Sequence, residues 1–92
     1  MIKWNCTREE TEIAVEIAKR AIQKAQEVGI NIVQGDMIMD IEACHCNGTP
    51  LKLKELLDAP DNDFAHDVWG IRSNIDRTTG KLTGGFLPRY AK

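Results

Sequence analysis

The sequence predicts a mainly α fold: a compact bundle of about four helices, closed by a C-terminal turn and an extended tail. Three observations predict it. Apolar residues recur at three- and four-residue spacing through most of the first 75 positions. Capping residues and glycines punctuate that pattern where helices should start and stop. The only β-branched run, Ile30-Asn31-Ile32-Val33-Gln34, is too short for more than a connector or a brief strand. At 92 residues the chain is expected to form a single helical domain over 1–92.

The first helix carries the clearest signals. Thr7-Arg8-Glu9-Glu10 reads as a capping box. Ile13, Ala14, Ile17, Ala18, Ala21, Ile22, Ala25 and Val28 then form one apolar stripe, with Glu12, Glu16, Lys19, Arg20, Gln23, Lys24 and Gln26 mostly towards water. Gly29 supplies the C-cap. The alanines let another helix approach closely, whether from the same chain or a second copy.

Gly35-Asp36 is read as a turn and N-cap for a second helix, whose face is Met37, Ile38, Ile41 and Cys44 and whose end is Asn47-Gly48. Thr49 at N-cap and Pro50 at N1 are expected to start a third, with Leu51, Leu53, Leu56 and Leu57. Pro60 ends it. Asp61 or Asn62 caps the last helix, in which Phe64, Val68, Ile71 and Ile75 share a face. Gly70 within it costs about 1 kcal/mol relative to alanine, so it signals close packing or a kink. Asp76 to Leu82 reads as a turn, and Gly84 to Tyr90 as an extended tail with aromatic anchors.

Composition narrows the function classes. Residues 1–76 carry 8 Lys and Arg against 14 Asp and Glu, a balance of −6, whereas residues 77–92 carry four cations and no acid, +4. An acidic body disfavours wrapping in DNA, because duplex affinity comes mainly from phosphate neutralisation. Helix 3 offers only Lys52 and Lys54 to a groove, so direct base readout is not expected either. No run of 18 apolar residues exists and the N-terminus lacks a secretory pattern, so a cytoplasmic chain without a membrane partner is expected. A core this small is enlarged economically by pairing, which makes a homo-oligomer an expected form.

Three cysteines do not read as a disulfide framework, and reduced thiols fit better. Cys44-His45-Cys46 is too crowded for joint metal ligation on a helix, and Cys6 and His66 stand alone in sequence, so no metal is expected. Cys44 reads as a small core residue. No nucleophile elbow, oxyanion loop or phosphate-binding glycine loop appears, and the chain is expected not to be an enzyme and to need no cofactor.

One set remains for ligand binding: His66, Asp67, Arg72, Arg77 and Arg89. If the tail folds back, the arginines form a cationic pocket suited to phosphate or carboxylate. The competing structural reading has Asp67 pinning the tail through an arginine.

Met39-Asp40-Ile41, Ala43-Cys44-His45, Asn47-Gly48-Thr49-Pro50-Leu51, Phe64-Ala65-His66-Asp67-Val68 and Gly70-Ile71-Arg72 occur in that order, followed by Asp76-Arg77-Thr78-Thr79-Gly80-Lys81-Leu82 and Phe86-Leu87-Pro88-Arg89. This string, over about residues 37–91, resembles a family of small uncharacterised proteins from phages, prophages and bacterial genomes. Ser73-Asn74 stand where that family's pattern calls for a further His or Arg. The resemblance implies a genetic context and no mechanism. Two functions follow as expectations: a phage-type accessory protein that binds a host or defence protein stoichiometrically, or a binder of a nucleotide-like anion through the His/Arg set.

Overall fold

The computed structural model describes residues 5–92. Its helices are α1 (Arg8–Glu27), α2 (Gln34–Ala43), α3 (Leu53–Leu57) and α4 (Asp61–Asn74), with a π-helical turn, Cys44–Gly48, extending α2.

α1 forms as its sequence dictates. Thr7 Oγ1 accepts the Glu10 N–H, and Glu10 Oε1 accepts the Thr7 N–H, completing the capping box. At the other end Gly29 takes φ 78°, the Gly29 N–H reaches the Gln26 carbonyl and the Ile30 N–H the Ala25 carbonyl. That pair of bonds is a Schellman ending, which needs the left-handed residue glycine provides. Ala14, Ile17, Ala18, Ala21 and Ala25 are buried within the chain's own fold, where α1 lies against α2 and α3. The close partner of the alanine stripe is thus intramolecular. Val28, placed by spacing on the same stripe, is instead exposed, because the helix has already ended beside it.

α2 starts two residues before the expected Asp36 cap. Val33 is the N-cap, its carbonyl taking the Asp36 and Met37 N–H groups, and no side chain caps it. Asp36 falls inside the first turn, where a carboxylate still complements the helix dipole. Ile30–Val33 stays irregular.

α3 starts later than Thr49-Pro50 predicts, at Leu53. The cause lies in the tail. The Leu51 N–H donates to His45 Nδ1, the Lys52 N–H to the Tyr90 carbonyl, and the Lys92 N–H to the Pro50 carbonyl. Leu51 bridges antiparallel to Ala91. With its backbone groups committed to these partners, the 50–52 segment stays extended.

α4 is preceded by Pro60, whose carbonyl accepts the Phe64 N–H; Asp61 and Asn62 lie inside the helix rather than capping it. Phe64, Val68 and Ile71 enter the core with Ile17, Met37, Ile41, Leu51, Leu53 and Leu56. Ile75 leaves the helix to bridge Leu82, closing a turn in which the Gly80 N–H reaches the Asp76 carbonyl. Gly70 is needed for packing: a Cβ there would sit inside the Phe86 ring. Gly48 meets the Gly80 carbonyl in the same way, so the π turn and the 76–82 turn touch backbone to backbone. The tail is held down along its length.

Candidate functional site

The five residues expected to form one cationic pocket are divided between two carboxylate centres. Asp40, wholly buried on α2, receives Arg77 through Nε at 2.6 Å and Nη2 at 3.3 Å, and Arg72 through Nη1 at 3.1 Å. The two-point contact from Arg77 is the fork geometry that suits a carboxylate. Asp40 raises the Arg77 pKa further above its usual value, chiefly through that hydrogen bond. Burying a carboxylate alone is prohibitive, and two guanidiniums explain why it is tolerated here.

His66, Asp67 and Arg89 meet elsewhere. Asp67 is also wholly buried; its Oδ1 lies 2.8 Å from His66 Nδ1. Each of its oxygens also accepts a backbone N–H from the tail, Arg89 to Oδ1 and Tyr90 to Oδ2, both at 2.8 Å. The Arg89 guanidinium turns outward to Asp63 at 2.9 Å, and the Tyr90 hydroxyl reaches the same carboxylate at 3.3 Å. Desolvation and the Asp63 charge push the Tyr90 hydroxyl pKa up. The His66 ring rests against Phe86, centroids 5.4 Å apart. Asp67 therefore fastens the tail through main-chain donors, whereas pairing reasoning pointed to an arginine side chain.

Two further features were not legible as sites. An open cleft of about 440 Å³ lies between the start of α1 and the 51–55 segment, lined by Glu10, Ile13, His45, Leu51, Lys54 and Lys92 among others. None of the five expected residues lines it. His45, buried at its wall, has Nε2 2.6 Å from Glu10 Oε2. Because the Leu51 N–H donates to Nδ1, that nitrogen is an acceptor, which assigns the proton to Nε2 and makes it the donor to Glu10. The Glu10 carboxyl is held below its usual range, first by the Thr7 N–H and then by His45.

Beside this pair, Cys6 is joined to Cys46 in a disulfide, with Cα atoms 5.5 Å apart. This corrects the expectation of three reduced thiols and of an isolated Cys6. Glu10 at the start of α1 meets His45 of the π turn, and Cys6, just ahead of the N-cap Thr7, stands within the Cα separation from Cys46 that a disulfide requires. Forty residues of sequence separation hid that approach. Cys44 is the free cysteine; burial pushes its thiol up to about 11, and it donates to the Thr49 carbonyl. Such a thiol is a core residue, as its spacing implied, and a poor nucleophile.

With this geometry in view, the comparison that bears on kinship is a family model matched by residues 9–92. The chain belongs to a family of unknown function, DUF6874. The match takes in α1 as well as the 37–91 string, so it reaches further than the motifs alone; Cys6 precedes it. No curated protein and no solved structure matches the chain.

Among the described residues no helix is long and apolar enough to cross a membrane. Of the described aromatic side chains, Phe64 is buried in the core and Trp69, Phe86 and Tyr90 are half-buried against it; Trp4 lies outside the described residues. Among the described residues the exposed large apolar side chains are Val28, Ile30, Val33, Met39 and Leu87, none of them aromatic.

Proposed function

We propose that this chain is a small accessory protein of phage or prophage type that acts in the cytoplasm by stoichiometric binding to a host or defence protein, without catalysing a reaction. The observation that carries the reading is the connection between α1 and α2. Val28, Ile30 and Val33 stand 71%, 53% and 67% exposed there, three aliphatic side chains within six residues. Grouped exposed apolar residues cost solubility and gain free energy only when a partner covers them. Glu27 and Asp36 flank them, so the fitting partner offers an apolar depression with a basic rim. The phage-type origin rests on the motif string of residues 37–91.

The alternative, binding of a nucleotide-like anion, asks for guanidiniums free to take a phosphate. Arg72 and Arg77 already share Asp40, and Arg89 holds Asp63. An anion would have to displace an internal carboxylate, one of them wholly buried. Protein binding is therefore the better-supported reading.

The test begins with the tagged chain as bait in lysate of the natural host, followed by reconstitution of each captured protein with the purified chain. A 1:1 complex is expected, abolished by Val28→Asp with Val33→Asp while the melting curve stays unchanged. Failure to reconstitute any complex, or equal binding by the double variant, refutes the proposal. A melting-temperature rise with nucleotides that Arg77→Gln removes favours the anion reading instead.

A further inference from the structure

The Cys6–Cys46 bond sits beside a third group that a disulfide has no use for. Cys6 Sγ, Cys46 Sγ and a Glu10 carboxylate oxygen all lie within 4.8 Å of one another. Glu10 is itself held from two sides, by the Thr7 N–H at 2.8 Å and by His45 Nε2 at 2.6 Å. His45 is fixed in turn by the Leu51 N–H. A carboxylate fixed by a buried histidine and standing beside two sulfurs is how outer partners prepare a metal ligand.

We propose that Cys6, Cys46 and Glu10 form a Zn²⁺ site when the cysteine pair is reduced. Two thiolates and a carboxylate match the preference of zinc for sulfur with one harder donor, and disfavour Mg²⁺ or Ca²⁺, which take oxygen alone. Three protein ligands leave the fourth tetrahedral position to water; of the three, Glu10 also lines the open cleft. The chemistry balances with a dithiol or phosphine reductant. It delivers two electrons to the S–S bond and is itself oxidised; two thiols form, and on metal binding their protons pass to solvent. Zn–S bonds of about 2.3 Å require the sulfurs to stand nearly 4 Å apart, so they part by about 2 Å from a bonded pair. Cys6 lies before α1, outside any helix, and can make that shift.

The experiment uses the full chain in two states, oxidised and phosphine-reduced, titrated with ZnCl₂ by calorimetry and with Co²⁺ by absorption spectroscopy. Reduced protein should bind one ion and show thiolate-to-Co²⁺ charge-transfer bands, while oxidised protein binds none. Cys46→Ser should lose the bands, and Glu10→Gln should weaken Zn²⁺ at least tenfold. If reduction costs helicity, Zn²⁺ should restore it by circular dichroism. The proposal is overturned if the reduced chain takes up no Zn²⁺, if lost helicity is not regained with Zn²⁺, or if either variant binds as wild type does. Those outcomes leave a structural disulfide only. They leave partner binding through residues 28–33 untouched, so the two proposals fail separately.

Discussion

Replacing Asp67 with asparagine keeps the shape of the side chain and removes half of what it does. In the native structure its two oxygens take the Arg89 and Tyr90 N–H groups at 2.8 Å each, and Oδ1 also faces His66. Asparagine offers one oxygen, so one backbone donor is left facing an NH₂ group. Hydrogen bonds to a charged group contribute about 1.5–3 kcal/mol each, and an unsatisfied buried donor costs about 1–3 kcal/mol. Losing one bond, weakening the other and stranding a donor gives about 3 kcal/mol for Asp67→Asn. A domain of this size has about 5–14 kcal/mol in total, so the variant stays folded but loses much of its margin. At about 4–8 °C per kcal/mol, calorimetry should record a fall in Tm of about 12–24 °C. Hydrogen exchange locates the loss: the amides of Arg89, Tyr90 and Lys52 should lose protection before those of α1, since the Lys52 N–H is held by the Tyr90 carbonyl. A loss below about 0.5 kcal/mol by urea unfolding, typical of a surface substitution, would show that Asp67 does not hold the tail.

Other substitutions test the remaining centres. Arg72→Met with Arg77→Met strips Asp40 of both guanidiniums and should cost about 3–5 kcal/mol, with single losses that do not add; additivity within about 0.3 kcal/mol would mean the two do not share one carboxylate. Asp61, between Lys24 at 2.9 Å and Arg20 at 2.9 Å, has its carboxyl pKa lowered by Lys24 first and Arg20 second. A carboxyl depressed on folding stabilises above its unfolded pKa and loses that contribution as pH falls through the folded value. The stability difference between wild type and Asp61→Asn should therefore be present at neutral pH and fade as the pH falls below the ordinary aspartate range; a difference that does not shrink with acidification contradicts the pairing. Cys44, with its thiol pushed up to about 11, should resist iodoacetamide in the native state at pH 8 and react only on unfolding; rapid native labelling, read by intact mass, would contradict its burial.

How much of this was legible depends on how far apart the interacting residues lie. The four helices and the C-terminal turn follow from local spacing, and so does the burial of Cys44. The start of α3 shifted because other parts of the chain intervened. Pro50-Leu51-Lys52 has the look of a helix start but is claimed by Tyr90, Ala91 and His45. The site residues illustrate the same limit. Asp67, Arg72, Arg77 and Arg89 were identifiable as charged groups off the apolar face, yet nothing in their spacing reveals that Asp40, on another helix, takes two of them. Glu10 was already assigned by its capping role, and only the fold brings His45 and the Cys6–Cys46 pair beside it. Periodicity reports which face a residue occupies; it carries no information about which distant face it meets.

Asp67 grips amide hydrogens, and every amino acid but one supplies them. Side-chain identity at positions 89 and 90 is thus invisible to that clasp, and matters only through the separate contacts the two side chains make with Asp63 and the core. Proline alone is barred at 89 and 90, although it already occupies 88, one step short of the grip.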